Sequence, residues 1–137
     1  MQKVLILCTG NSCRSIIAEA LINVELGDSV VAYSSGVKAS GRVNPYARKV
    51  LEQNGYWDDR YHSKVLNEVM DIEYDLVVTV CDNAKESCPI FPQKTRVIHV
   101  GFQDPDGKEY SEFEKSFRLI KEKLIPIVQE RLGQIDV

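Results

Sequence analysis

Two short runs of this chain, Val4-Leu5-Ile6-Leu7 and Leu76-Val77-Val78, are apolar at every position rather than at alternate ones. Successive side chains of a strand point to opposite faces, so a strand can be apolar throughout only where both faces are covered. Such strands belong to parallel sheets with helices on either side, and the rest of the chain supplies the helices. Apolar residues at Ile16, Ile17, Ala20, Leu21 and Val24 predict a helix over Ser15 to Leu26, ended by Gly27. Pro45 opens a second helix to about Gln53, closed by Asn54-Gly55, and a third spans Phe113 to Arg131, kinked or split at Pro126. A short helix is expected over Ser63 to Met70, and Val37 to Asn44 reads as loop. Ser29 to Tyr33 is a strand, and Thr95 to Val100 reads as a buried strand like Asp75 to Val80. The predicted architecture is a three-layer α/β sandwich, a short parallel sheet of about four strands flanked by helices, forming a single domain over residues 1–137.

At 137 residues such a domain buries roughly two thirds of its unfolded surface, enough to need no staple. A net charge of -3 leaves no basic face suited to nucleic acid, which is excluded as a partner. The longest apolar runs, about six residues, fall far short of the roughly 20 that span a bilayer. Met1-Gln2-Lys3 leads straight into the first strand, so neither signal peptide nor anchor is expected and the cytoplasm is the default compartment. In that reducing setting the four cysteines point to metal binding or redox catalysis rather than to a disulfide frame.

The first strand ends in Cys8-Thr9-Gly10-Asn11-Ser12-Cys13-Arg14-Ser15, and a helix follows. A loop in that place can wrap its N–H groups around a tetrahedral oxyanion while the helix turns its positive end to the same point. Gly10 and Asn11 tolerate the left-handed angles that turn amides inward. Ser12 and Ser15 add hydroxyl donors, Ser15 within reach of Cys8, and Arg14 offers a planar fork to two oxygens. The same groups are expected to depress the Cys8 thiol into a nucleophilic thiolate. The plainer alternative is a buried cysteine followed by a helix cap.

Cys81 and Cys88 frame a polar segment stopped by Pro89. Were it helical, the two Cα atoms would lie roughly 10 Å apart at about 1.5 Å per residue, whereas a disulfide needs roughly 4.4 to 6.8 Å. The sulfurs can bond only if this short segment unwinds, which makes it a candidate redox switch; packing and metal binding are the alternatives, the second weakened because neither His62 nor His99 stands at ligand spacing. Farther on, Pro105 biases Asp104 toward an extended backbone that holds its carboxyl group out over a neighbouring loop, where it can act as a general acid. Asp106 and Asp82 are weaker candidates.

Cys8 to Ser15 after an N-terminal strand resembles the signature of the low-molecular-weight protein tyrosine phosphatase superfamily, which includes the thioredoxin-coupled arsenate reductases. The phosphatases typically carry proline after the serine, where this chain has Ile16. Cys81, a six-residue spacer, Cys88-Pro89-Ile90, then Gly101-Phe102 and Asp104-Pro105 is similar to the reductase pattern, and ordinary small phosphatases lack the cysteine pair. The resemblance implies a relay: Cys8 attacks arsenate held by Thr9 to Ser15 and Arg14, Asp104 protonates the leaving oxygen, and Cys81 then Cys88 carry a disulfide outward for thioredoxin to reduce. It implies no tightly bound cofactor, no membrane and a monomer. Family members also bind potassium beside the loop at positions matching Asn11, Glu19 and Ser34; here His62-Ser63-Lys64 follows, and the Lys64 ammonium is expected to replace the ion by pairing with Glu19. Two competing functions remain open. One is a tyrosine phosphatase using Cys8, Arg14 and Asp104, and the other a non-catalytic oxyanion or redox sensor.

Overall fold

The computed structural model describes residues 1–133, and in it strands and helices alternate. In chain order they are β1 (Gln2–Cys8), α1 (Arg14–Glu25), β2 (Val30–Gly36), α2 (Pro45–Gln53), β3 (Leu76–Thr79), α3 (Asp82–Glu86), β4 (Arg96–His99) and α4 (Tyr110–Arg131). The strands form one parallel sheet in the order β2-β1-β3-β4, flanked by the helices. Val4 to Leu7 and Leu76 to Val78 are fully buried, as an unbroken apolar run requires. Burial on α1 is continuous from Ser15 to Ile22, because that helix packs on β1, β2, α2 and α4 at once. The Asn44 side chain caps α2 by accepting from the Tyr46 amide at 2.8 Å, and Pro45 occupies the first turn, where its missing N–H costs nothing.

Three expectations need correction. Ser63 to Met70 is not a helix beyond a single 3₁₀ turn, Leu66–Glu68. The backbone of Lys64 is committed elsewhere: its N–H donates to Asn11 Oδ1 at 2.7 Å and its carbonyl accepts from the Gly36 amide at 2.9 Å, so the segment runs extended beside β2. Thr95 to Val100 is not buried along its length. β4 is an edge strand, with Arg96 exposed and Val97 46% exposed. Finally, Pro126 does not split α4. Phe113, Phe117, Ile120, Leu124 and Val128 form one buried stripe through it, and the proline lies on the exposed side, where the Glu122 carbonyl that loses its donor can meet water.

Cys8 pairs with Gly36 across β1 and β2, and Leu7 pairs with Thr79 across β1 and β3. Cys8 and Cys81 therefore leave neighbouring parallel strands at the same carboxyl-terminal edge, where open α/β sheets place ligands.

Candidate functional site

The loop after β1 is held by its carbonyls. Cys8 O accepts from the Val37 amide at 3.0 Å, Thr9 O from Lys38 at 2.9 Å, Gly10 O from Ser40 at 2.8 Å and Ser12 O from Asn44 at 3.0 Å. Ser63 Oγ adds a second bond to Gly10 O at 3.0 Å. With its acceptors tied outward, the loop leaves the N–H groups of Gly10 to Cys13 without an acceptor among the described residues, which is the arrangement an oxyanion needs. The inversion is made at Asn11, whose φ is 50°; Gly10, expected to share the left-handed role, does not adopt it.

Asn11 is fully buried and fastens the loop from within. Its Nδ2 donates to Ser15 Oγ at 2.8 Å and to Ser34 Oγ at 3.0 Å, while its Oδ1 takes the Lys64 amide. Ser15 thus accepts from Asn11 and makes no bond to Cys8, contrary to the expectation that it would donate to the thiolate. Beneath, Ser34 Oγ donates to Glu19 Oε1 at 2.5 Å, and Lys64 Nζ lies 3.4 Å from the same oxygen and 2.9 Å from the His62 carbonyl. The ammonium stands against the carboxylate that a potassium ion would use, so the residues present do not fit that ion.

Burial pushes the Glu19 carboxyl upward, opposed by Lys64 and Ser34. Lys64→Met removes the larger part of that opposition and leaves only Ser34, and unfolding in urea should show a loss of about 3 to 5 kcal/mol, the cost of stranding a buried charge. Because the folded carboxyl is then the more easily protonated state, the loss is full above its raised pKa and shrinks as pH falls through it. Activity of the unaltered protein should not change when potassium replaces sodium at equal ionic strength.

Gly36 was not singled out from sequence, yet it makes the closest approach to the loop. A Cβ there would lie 2.5 Å from Thr9 O, 3.0 Å from Ala39 Cα and 3.1 Å from Asn11 N, all backbone or main-chain carbon. Ser34-Ser35-Gly36 at a strand end was the available signal. Gly36→Ala should lower stability by about 1 to 3 kcal/mol through overpacking and weaken phosphate binding, measured by calorimetry, since the cradle must shift to admit the methyl group.

Arg14 opens α1 at the far side of the loop. Its Nη1 donates to the Phe102 carbonyl at 3.0 Å and its Nη2 lies 3.5 Å from Asp104 Oδ2, while its Nε is buried without a partner among the described residues. Part of the guanidinium is therefore anchored, and one donor is left for a ligand. Asp104 is held in turn: Oδ1 accepts from the Asp106 amide at 3.0 Å, and Asp106 Oδ1 accepts from Asn44 Nδ2 at 2.8 Å. The Cys13 thiol also faces Asp106, and burial pushes it up to about 12, so it stays protonated at neutral pH. Asp104 is half-exposed and lies beside Arg14.

Cys8 and Cys81 are both buried at the same edge of the sheet, and each acts on the ionisation of the other. Burial pushes the Cys8 thiol up; Arg14 pulls it down and Cys81 raises it further, so the expected depression of Cys8 is not found before an anion binds. Burial also works against Cys81, but the Thr9 hydroxyl, the Ala84 amide, Arg14 and Cys8 together bring it below the ordinary thiol value. Thr9 Oγ1 lies 3.2 Å from Cys81 Sγ and accepts from Asn83 Nδ2 at 3.2 Å, which frees its single hydrogen for the sulfur. Thr9, expected only as a cradle residue, thus also serves Cys81. Alkylation followed against pH by peptide mass spectrometry should give a midpoint for Cys81 below 9.0 and one for Cys8 above it. In Cys81→Ser the Cys8 midpoint should fall, because the charge opposing its ionisation is gone.

Cys88 is half-buried beyond α3, and burial raises its thiol. The segment between it and Cys81 is helical over Asp82–Glu86, as its composition predicted. Asp82 is almost fully exposed and touches His99, whose Nε2 lies 3.4 Å from its Oδ1 while Nδ1 meets Thr79 Oγ1 at 2.8 Å. From sequence His99 was weighed only as a metal ligand, because its partners come from two other elements. Among the described residues no group of three or more His, Cys, Asp or Glu could hold a metal, and no helix is long and apolar enough to cross a membrane.

The sequence profile of the family described as low molecular weight phosphotyrosine protein phosphatase matches residues 3–134. Arsenate reductase 1 of Staphylococcus epidermidis is 41% identical over 117 residues, covering 84% of this chain and 88% of that one. Among solved structures, the arsenate reductase of Archaeoglobus fulgidus is 30% identical with a TM-score of 0.75, over 91% of this chain and 98% of its own. A second, described as an arsenate reductase in the phosphate binding state, is 25% identical with a TM-score of 0.78, over 95% and 98%.

Proposed function

We propose, since this chain belongs to the low molecular weight phosphotyrosine protein phosphatase family, that it reduces arsenate to arsenite through three cysteines in turn. The observation that carries this reading is the second sulfur: Cys81 Sγ lies 3.2 Å from the hydroxyl of Thr9, the residue next to Cys8, and the Thr9 hydroxyl and the Ala84 amide favour its thiolate. A hydrolase has no use for a nucleophile aimed at its own nucleophile, whereas a reductase must break the bond that Cys8 makes.

Arsenate sits in the cradle of loop amides from Thr9, Gly10, Asn11, Ser12, Cys13 and Ser15, with Arg14 Nε completing the donors. Cys8 gives its proton to the Cys81 thiolate and forms an S–As bond as an As–O bond breaks. The departing oxygen takes a proton from Asp104 and leaves as water. With the charge on Cys8 consumed, Cys81 gives its proton to solvent and attacks Cys8 Sγ as the thiolate. An S–S bond forms, the S–As electron pair stays on arsenic, and As(V) leaves as As(III) in arsenite. Cys88 then displaces Cys8 from Cys81, which requires α3 to unwind, and thioredoxin accepts the Cys81–Cys88 disulfide by thiol exchange. The unit acts as a cytoplasmic monomer, residues 1–137 forming one domain, with no resident cofactor. Because arsenate and phosphate share shape and charge, the same Cys8, Arg14 and Asp104 support slow hydrolysis of aryl phosphates.

Coupling the protein to thioredoxin, thioredoxin reductase and NADPH tests this reading. NADPH oxidation should depend on arsenate and greatly exceed aryl phosphate hydrolysis. Hydrolysis without arsenate-dependent oxidation would return the protein to the phosphatases.

A further inference from the structure

We propose that the cavity opening onto the Glu19–Lys64 pair binds a free α-amino acid with an apolar side chain, and that its occupancy is transmitted to the cradle. The cavity has a volume of about 500 Å³, within the roughly 300 to 1,000 Å³ of clefts that take small molecules. Two of its lining side chains are charged and buried, Glu19 at 5% exposure and Lys64 at 7%, and the relay uses neither. Each keeps hydrogen-bonding capacity. Both bonds to the Glu19 carboxylate among the described residues go to Oε1, and Lys64 Nζ has two acceptors, Glu19 Oε1 and the His62 carbonyl, for its three hydrogens. A free acceptor thus stands beside a free donor.

The rim repeats that pairing. Arg60 and Glu68 add one charge of each sign; Arg60 Nε lies 3.7 Å from Asp58, and Glu68 lies 3.8 Å from His62 Nε2. The two carboxylates and two cations of the lining cancel, so neither a simple anion nor a simple cation is favoured, whereas a ligand carrying both charges meets both. Tyr33, Val69 and Ile72 supply apolar lining. An α-amino acid has that combination: an ammonium for Glu19 and Glu68, a carboxylate for Lys64 and Arg60, and a side chain for the apolar wall. Glu19 Oε1 also accepts from Ser34 Oγ, which accepts from Asn11 Nδ2, so one chain of bonds runs from the cavity to the residue that inverts the loop. A ligand that fixes this chain at one end favours binding at the other, and the two affinities must change by the same factor.

The test titrates the full chain with L-leucine by calorimetry, with and without inorganic phosphate. One leucine should bind per chain and, at saturation, tighten phosphate binding at least about fivefold. Two analogues, 4-methylpentanoate without the ammonium and leucinol without the carboxylate, should each bind at least about tenfold more weakly, as loss of a charged hydrogen bond requires. Arg60→Gln, which leaves the cradle intact, should weaken leucine by a similar factor. The comparison of ligands uses the unaltered protein and stands even if the variant fails to fold. No leucine binding, analogues that bind as tightly as leucine, or undiminished binding by Arg60→Gln would overturn the site, and leucine that leaves phosphate affinity unchanged would overturn its link to the cradle. None of this rests on arsenate being the substrate, because phosphate reports on the cradle whichever reaction it serves.

Discussion

Cys88→Ser is expected to turn a catalyst into a reagent that works once. Supplied with thioredoxin, its reductase and NADPH, the variant should release about one arsenite per chain and then stop, because nothing displaces Cys8 from Cys81. The arrested protein should carry a Cys8–Cys81 disulfide, recovered by peptide mapping after alkylation of the remaining thiols. Both sulfurs are buried, so that bond lies out of reach of a protein reductant. Hydrolysis of an aryl phosphate by the same variant, kept reduced, should be close to normal, since water replaces the second sulfur in that reaction. A variant that keeps turning over arsenate would show that α3 need not open and that Cys88 has no part in the relay.

Arg14→Lys should damage both reactions together. The guanidinium divides its work: one nitrogen holds the Phe102 carbonyl, another faces Asp104, and Nε is left for the anion. An ammonium keeps the charge but cannot make these contacts at once. Loss of a donor aimed at developing negative charge costs roughly a hundred- to a thousandfold in kcat/KM, and arsenate reduction and aryl phosphate hydrolysis should fall by similar factors. The contrast with Cys88→Ser would separate the binding and activation of the oxyanion, the role proposed for Arg14, from the fate of the Cys8 adduct. If Arg14→Lys spared reduction while abolishing hydrolysis, the two reactions would not share the cradle.

The parallel sheet was legible in the sequence because a strand covered on both faces leaves an unbroken apolar run, and Val4 to Leu7 and Leu76 to Val78 are such runs. The loop was legible for a related reason: Cys8, Asn11 and Arg14 are close in sequence, and their spacing sets their geometry. What escaped was carried by contacts between distant segments. Lys64 has its backbone captured by Asn11 and Gly36, and no local propensity for helix competes with those bonds. Gly36 matters for an approach to Thr9 that only the β1–β2 register creates. The depression expected of the Cys8 thiol is not found because nearby donors were counted and the desolvation of a buried sulfur was not. The helical composition between Cys81 and Cys88 was legible, and five of those residues, Asp82–Glu86, do form a helix, ended before Pro89.

A single turnover without thioredoxin reaches the centre of the relay most directly. Fully reduced protein, mixed with excess arsenate and quenched by alkylation, should release one arsenite per chain while two of its four thiols disappear, both recovered in a Cys81–Cys88 disulfide with Cys8 and Cys13 still free. Four free thiols and no arsenite, with the oxyanion bound and returned unchanged, would contradict it.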